Sequence, residues 1–269
     1  MSPPHPTRAL GWIPYRRAEE ILTLFDALMN EAESSPRVCL LAGPPNNGKT
    51  ALADRMAATH PPSLQRLGPN TNFPVLCLET PPTPAFRRLF KSAIWKTGAL
   101  AVTCDRMEAI QYLGTILKAI HTRMIVLDQA QNILATTPFQ RDEFLGFLLE
   151  VAQRAKATVV LVGTVEVLEL GPLIGRFDVA SLPAWPLNDE FQNMVEALES
   201  GLPDGGRLGA TGFTPIIHRL SEGRLGELVA LLTAVSGRAI EGAQAQLDAR
   251  TLDAWVPPSK RFERIRELL

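Results

Sequence analysis

Four short, nearly unbroken apolar runs mark out the first part of the chain: Val38–Ala42, Val75–Leu78, Met124–Leu127 and Thr158–Val162. Each has the length of a strand, and continuous hydrophobicity is what a parallel strand covered on both faces of its sheet requires. A fifth, weaker run lies at Val179–Leu182. Stretches of helical period separate them. In Arg17–Met29 the apolar residues Ile21, Leu22, Leu24, Phe25 and Leu28 recur at helical spacing, and Ala51–Ala58 follows the first run in the same manner. The alternation predicts an α/β domain built on a parallel five-stranded sheet. After Pro183 and Pro186 the pattern changes. Asn188–Leu198, Pro215–Leu220, Leu225–Ile240 and Gln244–Trp255 are helical, no further strand appears, and a Gly-rich turn, Gly201–Gly212, lies among them. The expected organisation is an N-terminal arm over residues 1–14, an α/β domain over 15–186 and a small helical domain over 187–256. A basic tail over 257–269, with Lys260, Arg261, Arg264 and Arg266, completes it.

Composition supports a packed protein: 46% of the 269 residues are hydrophobic and 20% are charged, enough to fill a sizeable core. A net charge of −1 excludes capture of nucleic acid by the whole-protein field, so any DNA contact needs a local basic patch. Cys39, Cys77 and Cys104 are odd in number and widely spaced, with no zinc-ligand pattern; Cys39 and Cys77 read as small buried hydrophobes in strands. The N-terminus MSPPHPTRAL has no apolar stretch of signal-peptide length, and no run reaches the roughly 18 residues of a membrane span. A reducing cytoplasm and no membrane partner are expected.

The first strand runs into Gly43-Pro44-Pro45-Asn46-Asn47-Gly48-Lys49-Thr50, which fits the phosphate-loop pattern G-x-x-x-x-G-K-[ST] at every defined position. The strand before it and the helical segment after it give the motif its structural setting. Backbone N–H groups in such a loop converge on phosphate oxygens, and the positive end of the next helix favours the anion. We assign Gly43, Pro45, Asn46, Asn47, Gly48, Lys49, Thr50 and Ala51 to nucleotide binding, with ATP and Mg²⁺ as ligands. Lys49 is expected to reach the β- and γ-phosphates, and Thr50 to give its hydroxyl to the metal. The plain alternative is a Gly/Pro turn with a solvated lysine.

The third run ends in Asp128, where a carboxylate holds the hydration shell of Mg²⁺; the alternative is a helix N-cap. Many ATPases follow that aspartate with a glutamate, but here Gln129 stands next. An amide orients water without accepting its proton, so assistance worth about a hundredfold or more is expected to be missing. Two accounts remain open, a naturally slow ATPase or a deliberate Glu-to-Gln exchange at this position. Thr164, past the fourth run, is a candidate γ-phosphate sensor, with a turn or cap as the alternative. Arg176, ahead of the fifth run, is placed to reach the nucleotide of a neighbouring subunit, unless it is a solvated surface arginine. Arg224, at the start of a helix, is a weaker candidate for phosphate contact in cis.

Phe86–Trp95 carries Arg87, Arg88 and Lys91 within an arc of about 100°, opposite Phe86, Leu89, Phe90 and Ala93. Such a basic face can track a DNA backbone without reading sequence, and Lys96 just past the helix end would extend it. A solvated face is the alternative. Trp95, Trp185 and Trp255 read as packing residues.

The order of landmarks resembles an AAA+ ATPase: phosphate loop, acidic strand end, polar strand end, arginine, helical lid. More narrowly it resembles the TniB/TnsC group of transposition ATPases, kin to MuB and IstB-type helpers. The resemblance is carried by Gly11-Trp12-Ile13-Pro14-Tyr15-Arg16-Arg17-Ala18-Glu19, by Gly43–Thr50, and by Leu127-Asp128-Gln129-Ala130-Gln131-Asn132-Ile133-Leu134. Val162-Gly163-Thr164, Arg176-Phe177, Leu182-Pro183-Ala184-Trp185, Ser221-Glu222-Gly223 and Gly226-Glu227 extend it over roughly residues 10–240. Gln129 and Gln131 depart from the family's glutamate and histidine. The resemblance implies a bacterial, ATP-dependent regulator that assembles with itself as rings or filaments on double-stranded DNA. It would recruit or activate a DDE transposase, sometimes with a TniQ-type targeting protein. It also implies that Trp12, Ile13 and Pro14 lie near the adenine and that Arg176 acts across a subunit interface. A replication initiator or helicase loader of the AAA+ type, or a P-loop kinase, is the alternative.

Overall fold

The computed structural model describes residues 12–32, 34, 36–63, 71–202 and 210–241. Five strands and nine α-helices are placed among them. The strands are β1 (Val38–Ala42), β2 (Val75–Glu79), β3 (Met124–Asp128), β4 (Thr158–Gly163) and β5 (Asp178–Ser181). Before the sheet closes come helices α1 (Arg16–Glu31), α2 (Lys49–Thr59), α3 (Phe86–Thr97), α4 (Arg106–Ala119), α5 (Pro138–Ala155) and α6 (Gly171–Ile174). Beyond it lie α7 (Asp189–Ser200), α8 (Thr214–Ser221) and α9 (Leu225–Glu241). The chain divides into two compact units. One holds Arg16–Gly43 and Lys49–Leu182; the other holds the chain up to Tyr15, Pro44–Gly48 and the chain from Pro183.

In the first unit all strands are parallel, in the order β2-β3-β4-β1-β5. β4 lies between β1 and β3, and all six of its residues are buried, which is why its sequence shows no polar alternation. Leu40, Leu76, Leu78, Ile125, Leu127, Val159 and Leu161 form one core with Leu89 and Phe90 of α3, Leu113 and Leu117 of α4, and Phe144, Phe147 and Leu148 of α5. The alternate positions Cys39, Leu41, Val126, Val160 and Val162 are buried on the opposite face, where α2 lies against β2, β3 and β4. Each such side chain contributes about 1.5–3 kcal/mol of burial. Cys39, Cys77 and Cys104 are free thiols; burial pushes Cys39 up to about 12 and Cys77 up to about 11, so neither is a thiolate at neutral pH.

Local chemistry fixes where the helices begin. Asp105 accepts from the amide of Glu108 at 2.8 Å while Glu108 accepts from the amide of Asp105 at 3.0 Å, a reciprocal cap opening α4. Thr137 and Gln140 make the same pair at α5, with Pro138 at its first turn. α3 behaves as its periodicity predicts. Leu89, Phe90 and Ala93 are buried and Arg87, Arg88 and Lys91 are exposed. Two details differ from expectation. The helix continues to Thr97, so Lys96 sits inside its last turn, with Nζ donating to the Cys77 carbonyl at 2.5 Å. Trp95 is not a packing residue: it is 81% exposed, since the helix turns that position away from the sheet.

The second unit has its own core, in which Phe191, Val195, Ile217, Leu231 and Leu232 are buried and Ile13, Tyr15 and Trp185 pack at the margin. Trp185 is the packing residue its sequence context suggested. The helix expected over Gln244–Trp255, the basic tail and residues 203–209 of the Gly-rich turn lie outside the described residues. Among the described residues no helix is long and apolar enough to cross a membrane.

Candidate functional site

The carboxyl ends of parallel strands, where backbone amides and the first turns of following helices gather, are where α/β sheets hold ligands. Here β1 leads into Gly43, β3 ends in Asp128, β2 ends in Glu79 and β4 ends in Gly163. The register sets Glu79 beside Asp128 and Ala42 beside Gly163. The ends of these strands, with Gly43, Asp128 and Gly163, therefore lie along one side of the sheet.

Lys49 opens α2 and is 8% exposed, with Nζ donating to the Gly43 carbonyl at 3.0 Å. Burial lowers its pKa, against the opposing pull of Asp128 and Glu166. An ammonium kept from water in this way favours an arriving anion. Thr50 donates its hydroxyl to Asp128 Oδ2 at 2.6 Å, while Asp128 Oδ1 accepts from the Gln129 amide at 2.8 Å. The N-cap of the 3₁₀ turn Ala130–Ala135 is Gln129, not Asp128. The two metal-site candidates thus touch, and the pairing fits Mg²⁺, which takes one or two protein oxygens and completes its shell with water and phosphate. Among the described residues no group of three or more His, Cys, Asp or Glu side chains is set to hold a metal alone.

The end of β2 and the segment after β3 are stitched together. Gln129 adopts the left-handed conformation at φ 55° and donates from Nε2 to Glu79 Oε1 at 2.9 Å. Thr80 N donates to the Asp128 carbonyl at 2.8 Å, and Asn132 Nδ2 donates to the Thr80 carbonyl at 3.1 Å. Gln131 Oε1 accepts from the Thr164 amide at 3.3 Å, tying the acidic strand end to the exit of β4. Thr164's hydroxyl bonds to Glu166, whose pKa that bond holds below the usual carboxylate range. Sequence reasoning missed Glu79 and Glu166. Glu79 was hidden because a carboxylate at a strand end carries no motif until the neighbouring strand is known.

Within the second unit, Pro44–Gly48 is held by the start of α9. Asn46 Nδ2 donates to Glu227 Oε1 at 3.0 Å, and the Asn46 carbonyl accepts from the Gly226 amide at 2.9 Å. Asn47 Oδ1 accepts from the Leu225 amide at 3.1 Å, while its Nδ2 donates to the Pro183 carbonyl at 2.8 Å. A Cβ on Gly226 would collide with the Asn46 side chain and carbonyl, so this approach demands glycine. Gly48 takes φ 89°, closed to most other residues. The asparagines are thus structural anchors of the loop, a role that spacing did not reveal. Trp12 stacks on Tyr15 with centroids 6.4 Å apart, and Tyr15 meets Trp185 at 4.8 Å. Pro14 is exposed, and Ile13 packs at the edge of the helical core. Arg224 pairs with Glu222.

Arg176 stands apart, exposed beside a cavity of about 410 Å³ lined by Glu31, Pro36, Arg37, Phe177 and Asp178. Arg37 engages Asp178 at 2.5 Å and Glu31 at 3.3 Å. Arg176 has no ion pair or hydrogen bond among the described residues.

A sheet of this order, a phosphate loop after β1 and an acidic end to β3 define a P-loop ATPase of the AAA+ class. The family described as Bacterial TniB protein matches residues 6–187, and the chain belongs to that family. No curated protein matches it. Among solved structures it is similar to the Aeropyrum pernix ORC2 protein in its ADPNP–ADP complexes (15% identity, TM-score 0.66, 91% of this chain and 70% of that one). A Walker-type ATPase of Pyrococcus abyssi is also similar (15%, TM-score 0.60, 97% and 79%). So is the Thermotoga maritima RuvB Holliday junction branch migration motor (19%, TM-score 0.51, 89% and 67%). These likenesses show the fold.

Proposed function

We propose that the chain is an ATP-switched regulator of DNA transposition in the bacterial cytoplasm. It binds Mg-ATP, assembles with itself on double-stranded DNA as rings or filaments, and recruits or activates a DDE transposase, sometimes with a TniQ-type targeting protein. The observation that carries nucleotide binding is the Thr50 hydroxyl on Asp128 at 2.6 Å beside the buried Lys49. Lys49 supplies charge to the β- and γ-phosphates, Thr50 and Asp128 hold the metal and its waters, and the loop amides receive the remaining phosphate oxygens. Trp12, Ile13 and Pro14 lie along the base, Arg224 reaches phosphate after releasing Glu222, and Thr164 reports the γ-phosphate to the β4 exit. Membership of the TniB family carries the transposition role.

Arg87, Arg88, Lys91 and Lys96 follow the DNA backbone, weakly per subunit and additively along an assembly. Arg176 is offered to the neighbour's nucleotide. Electron microscopy of the protein with duplex DNA and a non-hydrolysable ATP analogue tests this reading. Nucleotide-dependent oligomers on the duplex are expected, and Lys49→Ala abolishes them. Monomers indifferent to DNA and nucleotide would overturn it.

A further inference from the structure

We propose that Glu79, one strand away from the expected position, is the proton acceptor for water in ATP hydrolysis and that Gln129 orients it. The inference rests on the nucleotide site proposed above and assigns it a residue that its motif does not contain. Gln129 in the position after Asp128 argues for weak hydrolysis when that position is considered alone, because an amide takes no proton. The structure supplies a carboxylate beside that amide. Glu79 ends β2 in register with Asp128, so the two side chains lie on adjacent strands and the same side of the sheet. Its Oε1 accepts from Gln129 Nε2 at 2.9 Å, and its Oε2 has no hydrogen-bond partner among the described residues. The carboxylate stands at the end of β2 and the amide after β3, joined by one hydrogen bond.

Gln129 adopts the left-handed region at φ 55°, a strained conformation for a residue with a side chain. The Thr80 amide on the Asp128 carbonyl and Asn132 on the Thr80 carbonyl fix the end of β2 against the turn after β3. Glu166, which with Asp128 acts on Lys49, is engaged by the Thr164 hydroxyl. Glu79 is exposed at the edge, where water reaches it. In the step, the water oxygen forms a bond to the γ-phosphorus and the bond from that phosphorus to the β–γ bridging oxygen breaks. The electron pair leaves with ADP, and the water proton passes to the free oxygen of Glu79 and from there to solvent.

The test uses the full chain with duplex DNA. Turnover, the Kd for Mg-ATP and the identity of the bound nucleotide are measured for the native chain, Glu79→Gln, and the exchanged pair Glu79→Gln/Gln129→Glu. The native chain turns over ATP. Glu79→Gln slows it about a hundredfold, keeps its Kd within about threefold (~0.65 kcal/mol), and retains ATP where the native chain holds ADP. The exchanged pair recovers at least about a tenth of native turnover. The proposal is overturned if Glu79→Gln turns over like the native chain, or if the native chain binds nucleotide without hydrolysing it. It is also overturned if Glu166→Gln slows turnover more than Glu79→Gln does, or if the exchanged pair stays as slow as the single variant. Absence of Mg-dependent nucleotide binding in the native chain would instead remove the nucleotide site itself, and this proposal with it.

Discussion

Lys49 is the residue on which the site turns, and its energetics set a direction for pH. Burial holds its pKa below the ordinary lysine value. The folded chain therefore binds this proton less tightly than the unfolded chain, and stability rises with pH between the folded and unfolded pKa values. A triphosphate beside the ammonium reverses the shift, because an opposite charge favours the protonated form. On the alkaline side, ATP binding is expected to take up protons. Calorimetry in two buffers of different ionisation enthalpy reads this as a buffer-dependent binding heat, and Lys49→Met removes the dependence. Identical heats in both buffers would place the ammonium elsewhere. The motif and the acidic strand end singled out Lys49, Thr50 and Asp128, and the structure adds the hydrogen bond of Lys49 to Gly43 and that of Thr50 to Asp128. Neither signal singled out Glu79. Its partner Gln129 lies 50 positions away, and only the β2–β3 register brings them together.

Among the elements, α3 shows how far periodicity reaches. Its buried and exposed positions follow the predicted faces, since amphipathic spacing is a local property of the chain. The exposed Trp95 was not legible, because whether a helix end meets another element is decided by what packs beside it. If the basic face follows DNA, removing Arg87, Arg88 and Lys91 together weakens binding to unrelated duplexes alike. It also flattens the slope of log affinity against log salt by about 0.9 for each phosphate that is no longer neutralised. A slope identical to that of the native chain would return α3 to the role of a solvated surface. β5 illustrates the reverse limit. The apolar pattern suggested Val179–Leu182, and the strand runs Asp178–Ser181 because Asp178 pairs with Cys39 and its carboxylate takes Arg37. A short edge strand has too few apolar positions to mark its own ends.

At the scale of the whole molecule, Arg176 is a cation with no partner among the described residues, on a chain proposed to work as an assembly. Arg176→Ala is expected to lower turnover of the assembled protein about a thousandfold or more, the order of an arginine reaching a transferring phosphoryl group. Lys49→Ala is inactive for a different reason. Mixing the two variants on DNA is expected to restore part of the activity, since a subunit lacking the lysine, which forms no assembly alone, is drawn in by nucleotide-bound neighbours and offers them its Arg176. No recovery on mixing would show that Arg176 does not act across an interface.

The sequence by itself determined the elements whose signals are local. The apolar runs gave the strands, the helical period gave α1, α3 and α9, and the unbroken loop motif with Asp128 marked the end of the sheet proposed to hold phosphate. It also brought the TniB likeness that the family match bears out. Only the tertiary structure decided the strand order, the neighbours of each strand end and the anchoring of Asn46 and Asn47 by the start of α9. Those contacts join residues far apart in the chain, and sequence spacing carries no information about which strand lies beside which. For the same reason a carboxylate at Glu79 acquires its meaning only once β2 is laid against β3.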